Sequence, residues 1–121
     1  MDSGARLAFG TDWAVEPLEP VEGLYSAVTR QSRAEPGVPE GGWLPEQRLT
    51  IEEAIRAYTA GSAYAEFEEH RKGTLEVGML ADMVVWDRDL LVIPAVQILE
   101  ARPDYTIVGG RVVYEREAAG R

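Results

Sequence analysis

Residues 73–87 constrain the fold of this chain more than any other stretch, and they read Gly-Thr-Leu-Glu-Val-Gly-Met-Leu-Ala-Asp-Met-Val-Val-Trp-Asp. The two glycines can end a helix and turn the chain. The apolar run at 83–86 is too short for a helix of ordinary length. Its β-branched and aromatic content predicts a strand, which we expect to be buried on both faces.

A second β signal lies near the end of the sequence. Two β-rich runs, 105–108 and 111–114, are separated by Gly109-Gly110, a spacing typical of a hairpin. We expect the 82–87 strand to belong to the same sheet. A further short strand is predicted at 5–10, close to the N-terminus. The predicted strands are therefore near 5–10, 82–87, 105–108 and 111–115.

Helices are predicted over 22–30 and 51–69, with a short helical turn within 94–100. Thr50 and Glu53 form the pattern of a capping box at the start of the longer helix. An apolar face follows at Ile51, Ala54, Ile55 and Tyr58. Gly61 predicts a bend or break there, and Gly73 is expected at the C′ position of the second part.

The composition excludes several classes of protein. The net charge of −9 argues against nucleic acid and anionic membrane surfaces as partners. There is no cysteine, which rules out disulfides and thiolate metal sites. No apolar run approaches the ~20 residues of a membrane span, and the N-terminus does not resemble a signal peptide. We expect a cytoplasmic protein.

Several segments, taken in order, resemble one enzyme family. Phe-Gly-Thr-Asp-Trp at 9–13 is followed by Thr-Ile-Glu-Glu-Ala at 50–54, then by the 73–87 stretch and Val-Gly-Gly-Arg-Val-Val-Tyr at 108–114. With Gly-Gly-Trp-Leu-Pro at 41–45, this combination is most similar to the family-3 amidohydrolases. That group includes formamide deformylases and related N-acyl hydrolases.

The resemblance implies a mixed α/β chain that is the C-terminal fragment of a (β/α)₈ barrel plus part of a flanking small β-sandwich. Residues 1–72 would contain the last barrel strand and terminal helices. Residues 73–121 would supply strands of the composite β domain. The function implied is hydrolysis of non-peptide carbon–nitrogen bonds on a small amide-type substrate.

The family binds one or two divalent metals, with zinc expected, through a His-x-His pair, a bridging carboxylate that is often a carboxylated lysine, and further histidines. This chain has a single histidine and a single lysine, so it cannot supply that set. We therefore expect the chain alone to bind no metal or other cofactor and to be inactive.

Asp12 is the candidate catalytic residue. In the family, the aspartate at the end of the eighth strand takes a proton from the metal-bound water and delivers it to the leaving group. It is also a metal ligand, which here would apply to Asp12 only in the intact enzyme. The alternative that needs no family is an aspartate that stabilises a turn.

The other chemistry-bearing residues favour structural roles. His70 would place a charge at the end of a helix, and Trp13 and Trp43 would pack, although both can line a pocket in an intact enzyme. Asp82 and Asp87 would act in turns or caps at either end of a strand. The acidic residues of a solvated face are Glu66, Glu68 and Glu69.

Two hypotheses stay open from the sequence. The chain is either part of a metal-dependent hydrolase or a free-standing, non-catalytic α+β interaction module derived from the same family. Under the first hypothesis, the strand at 5–10 lacks its barrel neighbours and has open edges, which favour self-association. The alternative outcome is poor order over the first ~15–40 residues.

Overall fold

The structure, a computed structural model, describes residues 4–34 and 40–117. Its longer helices are α1 (Val21–Thr29) and α2 (Ile51–Arg56), and α2 continues through a π turn (Ala57–Gly61) into α3 (Ser62–Ala65). A short helix α4 (Ala95–Ile98) and a 3₁₀ turn (Pro45–Gln47) complete the helical elements. The strands are β1 (Met83–Trp86), β2 (Pro103–Val108) and β3 (Arg111–Glu115). None of the helices in these ranges is long and apolar enough to cross a membrane.

The helix predicted over 22–30 is confirmed within one residue at each end. It ends where Arg30 adopts a left-handed backbone with φ of 58°. The N–H of Arg30 donates to the carbonyl of Ser26 at 2.8 Å, which satisfies one of the last carbonyls of α1.

The capping box of α2 is confirmed as well. The hydroxyl of Thr50 accepts the backbone N–H of Glu53 at 3.2 Å. The carboxylate of Glu53 accepts the N–H of Thr50 at 2.9 Å. Two donors that a helix start leaves without partners are thus satisfied by one pair of side chains.

The prediction for the second half of that helix is wrong at its end. The interruption expected near Gly61 is a π turn rather than a break, a second helix follows it as predicted, and that helix ends at Ala65 rather than at 69. The N–H groups of Phe67 and Glu68 donate to carbonyls on the last turn of α3, at 3.0 and 2.9 Å. This bond pair is the Schellman arrangement, with Phe67 at the left-handed position that glycine usually occupies.

The hairpin prediction is confirmed. The sheet has three antiparallel strands in the order β1-β2-β3. Gly109 and Gly110 have φ of 56° and 76°, as a two-residue hairpin turn of the favoured type requires. Asp82 serves the turn, because its carboxylate accepts the N–H of Gly109 at 2.6 Å.

The strand β1 is not buried on both faces, contrary to the sequence prediction. Val84 and Val85 point to opposite faces of the sheet, yet they are 43% and 42% exposed. The apolar run was a correct signal for a strand. Burial requires a layer of structure over each face, and the described part of the chain does not provide two complete layers.

The predicted strand at 5–10 is also wrong. Residues 4–10 form no strand ladder in the structure. A strand needs a neighbour to exchange backbone hydrogen bonds, and here the segment lies against the helix that contains the π turn.

The core is formed by helices packed on the segment that connects β1 to β2. Leu24 of α1 and the fully buried Ala54 of α2 meet Ile98, which is 2% exposed. The buried cluster consists of Val21, Leu24, Ala54, Leu90, Ile98 and Ala101. Trp86 packs at its border and brings the sheet against it. The core therefore draws on residues from both halves of the sequence.

Asp87 joins three segments of the sheet region. Its carboxylate accepts the N–H of Arg102 at 3.1 Å, the Arg88 guanidinium at 3.2 Å and the Arg116 guanidinium at 3.3 Å. Its own N–H donates to the carbonyl of Arg102 at 3.0 Å. One side chain thus ties the end of β1 to the residues before β2 and after β3, which agrees with the predicted cap role.

Replacing Asp87 with Asn should lower the free energy of unfolding by about 1–3 kcal/mol, because a neutral amide is a weaker acceptor for these donors. The measurement is urea unfolding at pH 7. Glu76→Gln, which neutralises an exposed carboxylate, is the control and should stay within about 0.5 kcal/mol of the parent chain. Equal effects of both variants would show that the Asp87 contacts do not stabilise the fold.

The effect of Asp87→Asn on the free energy of unfolding should also depend on pH. The N–H of Arg102 holds the pKa of the Asp87 carboxyl below its ordinary value, with help from Arg88 and Arg116 and against desolvation, which raises it. A carboxyl with a lower pKa in the folded state stabilises the fold above its unfolded pKa, and this stability is lost as the pH falls through the folded pKa. The difference between the parent chain and Asp87→Asn should therefore be constant near pH 7 and shrink below the ordinary value of 3.8.

Phe67→Gly should stabilise the chain. Phe67 has φ of 61° and its side chain is 87% exposed, so the left-handed backbone is strained without compensating burial. Glycine removes that strain, and the net gain in the free energy of unfolding should be about 0.5–1 kcal/mol. Phe67→Ala is the matched control. It removes the same ring but keeps the strain, so a gain of equal size in this variant would contradict the explanation.

Candidate functional site

Asp12 is the last residue of the docked N-terminal segment, which comprises residues 4–12. Its side chain is exposed and its backbone is left-handed, with φ of 51°. The carbonyl of Asp12 accepts the N–H of Val15 at 2.7 Å, which closes a turn. Aspartate tolerates this conformation better than most residues. The geometry therefore presents the carboxylate at the start of a turn.

The N-terminal segment is held to the π turn through Phe9. The N–H of Phe9 donates to the carbonyl of Ala57 at 3.0 Å, and the carbonyl of Phe9 accepts the hydroxyl of Ser62 at 2.7 Å. The Phe9 ring meets the ring of Tyr58 edge to face at 5.4 Å. Burial raises the pKa of the Tyr58 hydroxyl. Backbone and side chain of Phe9 are both fixed by one stretch of helix.

Gly61 permits this close approach. A Cβ atom on Gly61 would lie 2.0 Å from the backbone carbonyl oxygen of Leu7. Leu7 and Phe9 are half-buried while Ala8 is exposed, so the segment presents alternate side chains to the helix. The interruption that the sequence analysis assigned to a break in the helix is instead the point where another segment lies against it.

A shallow groove of about 390 Å³ runs beside the docked segment. Arg6 closes one side, with its guanidinium 4.2 Å from the centre of the Tyr64 ring. The lining residues are Ala5, Arg6, Leu7, Glu53, Arg56, Ala57, Ala60, Gly61 and Tyr64. Asp12 does not line this groove.

A larger groove of about 550 Å³ separates the start of α1 from the sheet. Its arginines already have partners. Arg102 donates to the carbonyls of Leu99 and Ala101 at 3.3 and 2.9 Å, and Arg33 lies 3.4 Å from the carboxylate of Glu22. Asp12 is not among the residues that line this groove. The candidate catalytic residue and the larger groove are therefore separate features.

Within residues 4–34 and 40–117, no group of three His, Asp or Glu side chains is placed to hold a metal ion. The prediction that His70 supplies a charge at a helix end is wrong, because α3 ends at Ala65 and His70 lies in the following turns, exposed to solvent. Glu66 and Glu68 pair with Lys72 and Arg71 at 2.5 and 2.8 Å. Glu66 and Glu68 thus form ion pairs rather than a ligand cluster, whereas Glu69, predicted to lie on the same solvated face, has a buried Oε2 with no hydrogen-bond partner among the described residues.

The two tryptophans do not pack in the core. Trp13, next to Asp12, is 70% exposed, and Trp43 is 61% exposed. The Trp43 ring is covered in part by the Arg30 guanidinium at 5.1 Å. The predicted packing role is wrong for Trp13 in the described structure and is limited to this one contact for Trp43.

Comparison with known proteins assigns the chain to a family. The sequence model that defines the amidohydrolase family matches residues 1–114. This chain belongs to the amidohydrolase family. The resemblance inferred from the sequence motifs is thereby confirmed.

Two curated relatives and one solved structure illustrate the match. The chain is 33% identical over 116 residues to the amidohydrolase YtcJ of Bacillus subtilis, covering 96% of this chain and 22% of the relative. It is 31% identical over 116 residues to the N-substituted formamide deformylase of Arthrobacter pascens, covering 96% of this chain and 20% of that enzyme. The fold is similar to the crystal structure of an amidohydrolase from Thermotoga maritima, with a TM-score of 0.63, 22% identity, and coverage of 95% of this chain and 24% of that one. The chain thus spans about a fifth of the length of the curated amidohydrolases it matches.

The sequence reasoning missed the role of Ser62. The Gly61-Ser62 pair interrupts the helical pattern, and that interruption was the available signal. A small residue in a helix followed by a hydroxyl is consistent with a close backbone approach. Nothing in the sequence indicated that the approaching backbone belongs to residues 7–9.

Gly61→Ala should displace the N-terminal segment. Alanine ordinarily favours a helix over glycine by about 1 kcal/mol, but here its Cβ would overlap the Leu7 carbonyl oxygen. Hydrogen exchange at the Phe9 amide should accelerate roughly tenfold or more. Gly10→Ala is the control, because an added Cβ there meets no atom within 4 Å. Unchanged protection of Phe9 in Gly61→Ala would contradict the close approach.

Proposed function

We propose that this chain is the C-terminal part of a longer amidohydrolase that hydrolyses non-peptide carbon–nitrogen bonds in a small amide-type substrate. The family match over residues 1–114 carries the proposal. The formamide deformylase among its relatives supports the choice of an amide bond. Asp12 is the residue we propose to move the proton.

The proposed reaction needs one carboxylate that can accept a proton from water and then donate it to the leaving group. Water adds to the carbonyl carbon of the amide, and the Asp12 carboxylate accepts the proton that the water loses. The carbon–nitrogen bond then breaks, and Asp12 returns the proton to the departing nitrogen. Such general acid–base transfer contributes about 10²–10⁴-fold to a rate. The exposed turn at Asp12 is compatible with access to a substrate bound by other parts of the enzyme.

The architecture we propose divides the longer enzyme around residue 72. Residues 1–72 would complete a (β/α)₈ barrel and residues 73–121 would belong to a small composite β domain. The partial exposure of Val84 and Val85 on both sides of the sheet supports further structure over it. In that setting the segment at 5–10 would gain the neighbouring strands that it lacks here.

A divalent metal, with zinc as the expected ion, is part of the proposal for the longer enzyme only. The described residues of this chain do not fit such an ion, since they bring no three ligating side chains together. The ligands would come from other parts of the enzyme, with Asp12 as the one contribution from this chain. We further expect action in the cytoplasm, without nucleic acid or membrane partners, which the net charge of −9 favours.

Asp12→Asn in the longer enzyme should lower kcat by about 10²–10⁴-fold. Asparagine is the appropriate substitution because it also tolerates the left-handed backbone at this position. The assay is release of amine from a panel of N-formyl and N-acyl amines. Glu16→Gln, an exposed carboxylate in the same loop, is the control and should retain full activity. Full activity of Asp12→Asn would rule out its proton-transfer role.

The 121-residue chain by itself should bind no stoichiometric zinc and release no amine. One exposed histidine and dispersed carboxylates cannot provide the three ligands that catalytic zinc requires. Metal analysis after dialysis against a chelator measures the first point. A retained equivalent of zinc would contradict it.

Absence of a His-x-His barrel in the reading frame upstream of Met1 would favour the alternative of a non-catalytic interaction module.

A further inference from the structure

We propose that Ser62, together with the π turn that precedes it, is a positioning residue that fixes the location of Asp12. This inference rests on the proposed role of Asp12 in proton transfer. It concerns how the helix transmits a fixed geometry to the carboxylate, and it assigns a purpose to the π turn.

The carbonyl of Ala57 forms a hydrogen bond outside its own helix. It accepts the N–H of Phe9 at 3.0 Å and lies 3.1 Å from the hydroxyl oxygen of Ser62. A regular α-helix directs each carbonyl along its axis to the N–H four residues later. A π turn alters that ladder locally. The altered turn coincides here with a carbonyl that bonds to a different segment.

The hydroxyl of Ser62 contacts the same N-terminal segment. It lies 2.7 Å from the carbonyl of Phe9 and 3.1 Å from the carbonyl of Ala57. Because a hydroxyl has one hydrogen, it donates best to the closer acceptor, which is Phe9. The N–H and the C=O of Phe9 are therefore both held, one by the helix backbone and the other by Ser62. The two bonds hold the peptide units on either side of the Phe9 Cα, so they restrain both backbone dihedrals of this residue, which one bond alone would not do.

Gly61 completes the arrangement from the other side. Without a Cβ, it lets the Leu7 carbonyl come to where a side chain would otherwise stand. Gly61, the Ser62 hydroxyl and the Ala57 carbonyl thus all face residues 7–9. A helix that served only to fill the core would not require this combination of an absent side chain, a hydroxyl and a carbonyl bonded to another segment.

The fixed point lies close enough to Asp12 to set its position. Asp12 lies three positions after Phe9, and such a stretch spans at most about 10 Å. The bond from the Val15 N–H to the Asp12 carbonyl constrains the chain on the other side of Asp12. A catalytic group loses much of its effect when displaced by about 1 Å, so movement at Phe9 would reach the carboxylate.

The test uses nuclear magnetic resonance on the 121-residue chain with three variants. Ser62→Ala removes the hydroxyl, and Ser62→Thr keeps a hydroxyl at the same place. Thr59→Ala is the matched control, since its exposed hydroxyl also bonds within the π turn, to the carbonyl of Ile55 at 2.9 Å, without touching the N-terminal segment. The readouts are hydrogen exchange of the Phe9 amide and the ¹³C shift of the Asp12 carboxyl.

Ser62→Ala should accelerate exchange at Phe9 by about three- to tenfold, the effect of one hydrogen bond, and should move the Asp12 carboxyl signal. Ser62→Thr should restore both, and Thr59→Ala should leave both unchanged. The inference is overturned if Ser62→Ala leaves Phe9 and Asp12 as they are, or if Thr59→Ala has the same effect.

Activity of the longer enzyme separates this inference from the proposed function. If both hold, Ser62→Ala lowers kcat by about three- to tenfold with KM within twofold, because the substrate contacts are untouched. If the carboxyl signal moves in Ser62→Ala but Asp12→Asn is fully active, the positioning by Ser62 stands and the proposed catalytic role fails. If Asp12→Asn is inactive but the signal does not move, the reverse applies.

Discussion

The packing of Ala54 against α1 and the segment after β1 is the contact on which the remaining structure depends. Ala54 is completely buried, and a larger side chain would separate α2 from Leu24 and Ile98. Because the sheet has only three strands, it cannot form a core alone. The helices and the β1–β2 connection supply that core, and the sheet is attached to it through Trp86. The π turn and the docked N-terminal segment are in turn carried by the helix that Ala54 anchors.

The strongest sequence predictions were those in which one local pattern determines one local bond. Thr50 and Glu53 satisfy each other within a single turn, and Gly109-Gly110 adopts a backbone that other residues rarely take. Such features need no distant partner, so the sequence carries them completely. The role predicted for Asp82 differs from these, because its carboxylate accepts the N–H of Gly109, which lies 27 positions further along the chain.

The failed predictions share the opposite property. Whether residues 5–10 form a strand, and whether Val84 and Val85 are buried, depends on which segments lie beside them. The prediction of where α3 ends was wrong for another reason. Phe67 occupies the left-handed position in preference to a glycine further along, so a strained residue ends the helix where the favoured residue type did not predict it. Of the candidate site, Asp12 was found from the resemblance, whereas Ser62 required the spatial approach of a segment 53 positions away.

The contacts of Phe9 explain how a segment with strand character can be ordered without a strand beside it. In a ladder, each residue of an inner strand has its N–H and C=O satisfied by neighbours. Phe9 obtains the same satisfaction from one helix carbonyl and one serine hydroxyl, and alternate side chains at 7 and 9 still face the helix. These bonds hold one residue rather than a whole strand. A helix carbonyl and a serine hydroxyl therefore replace, at this residue, the two partners that a strand ladder would supply, and they do so three positions before Asp12.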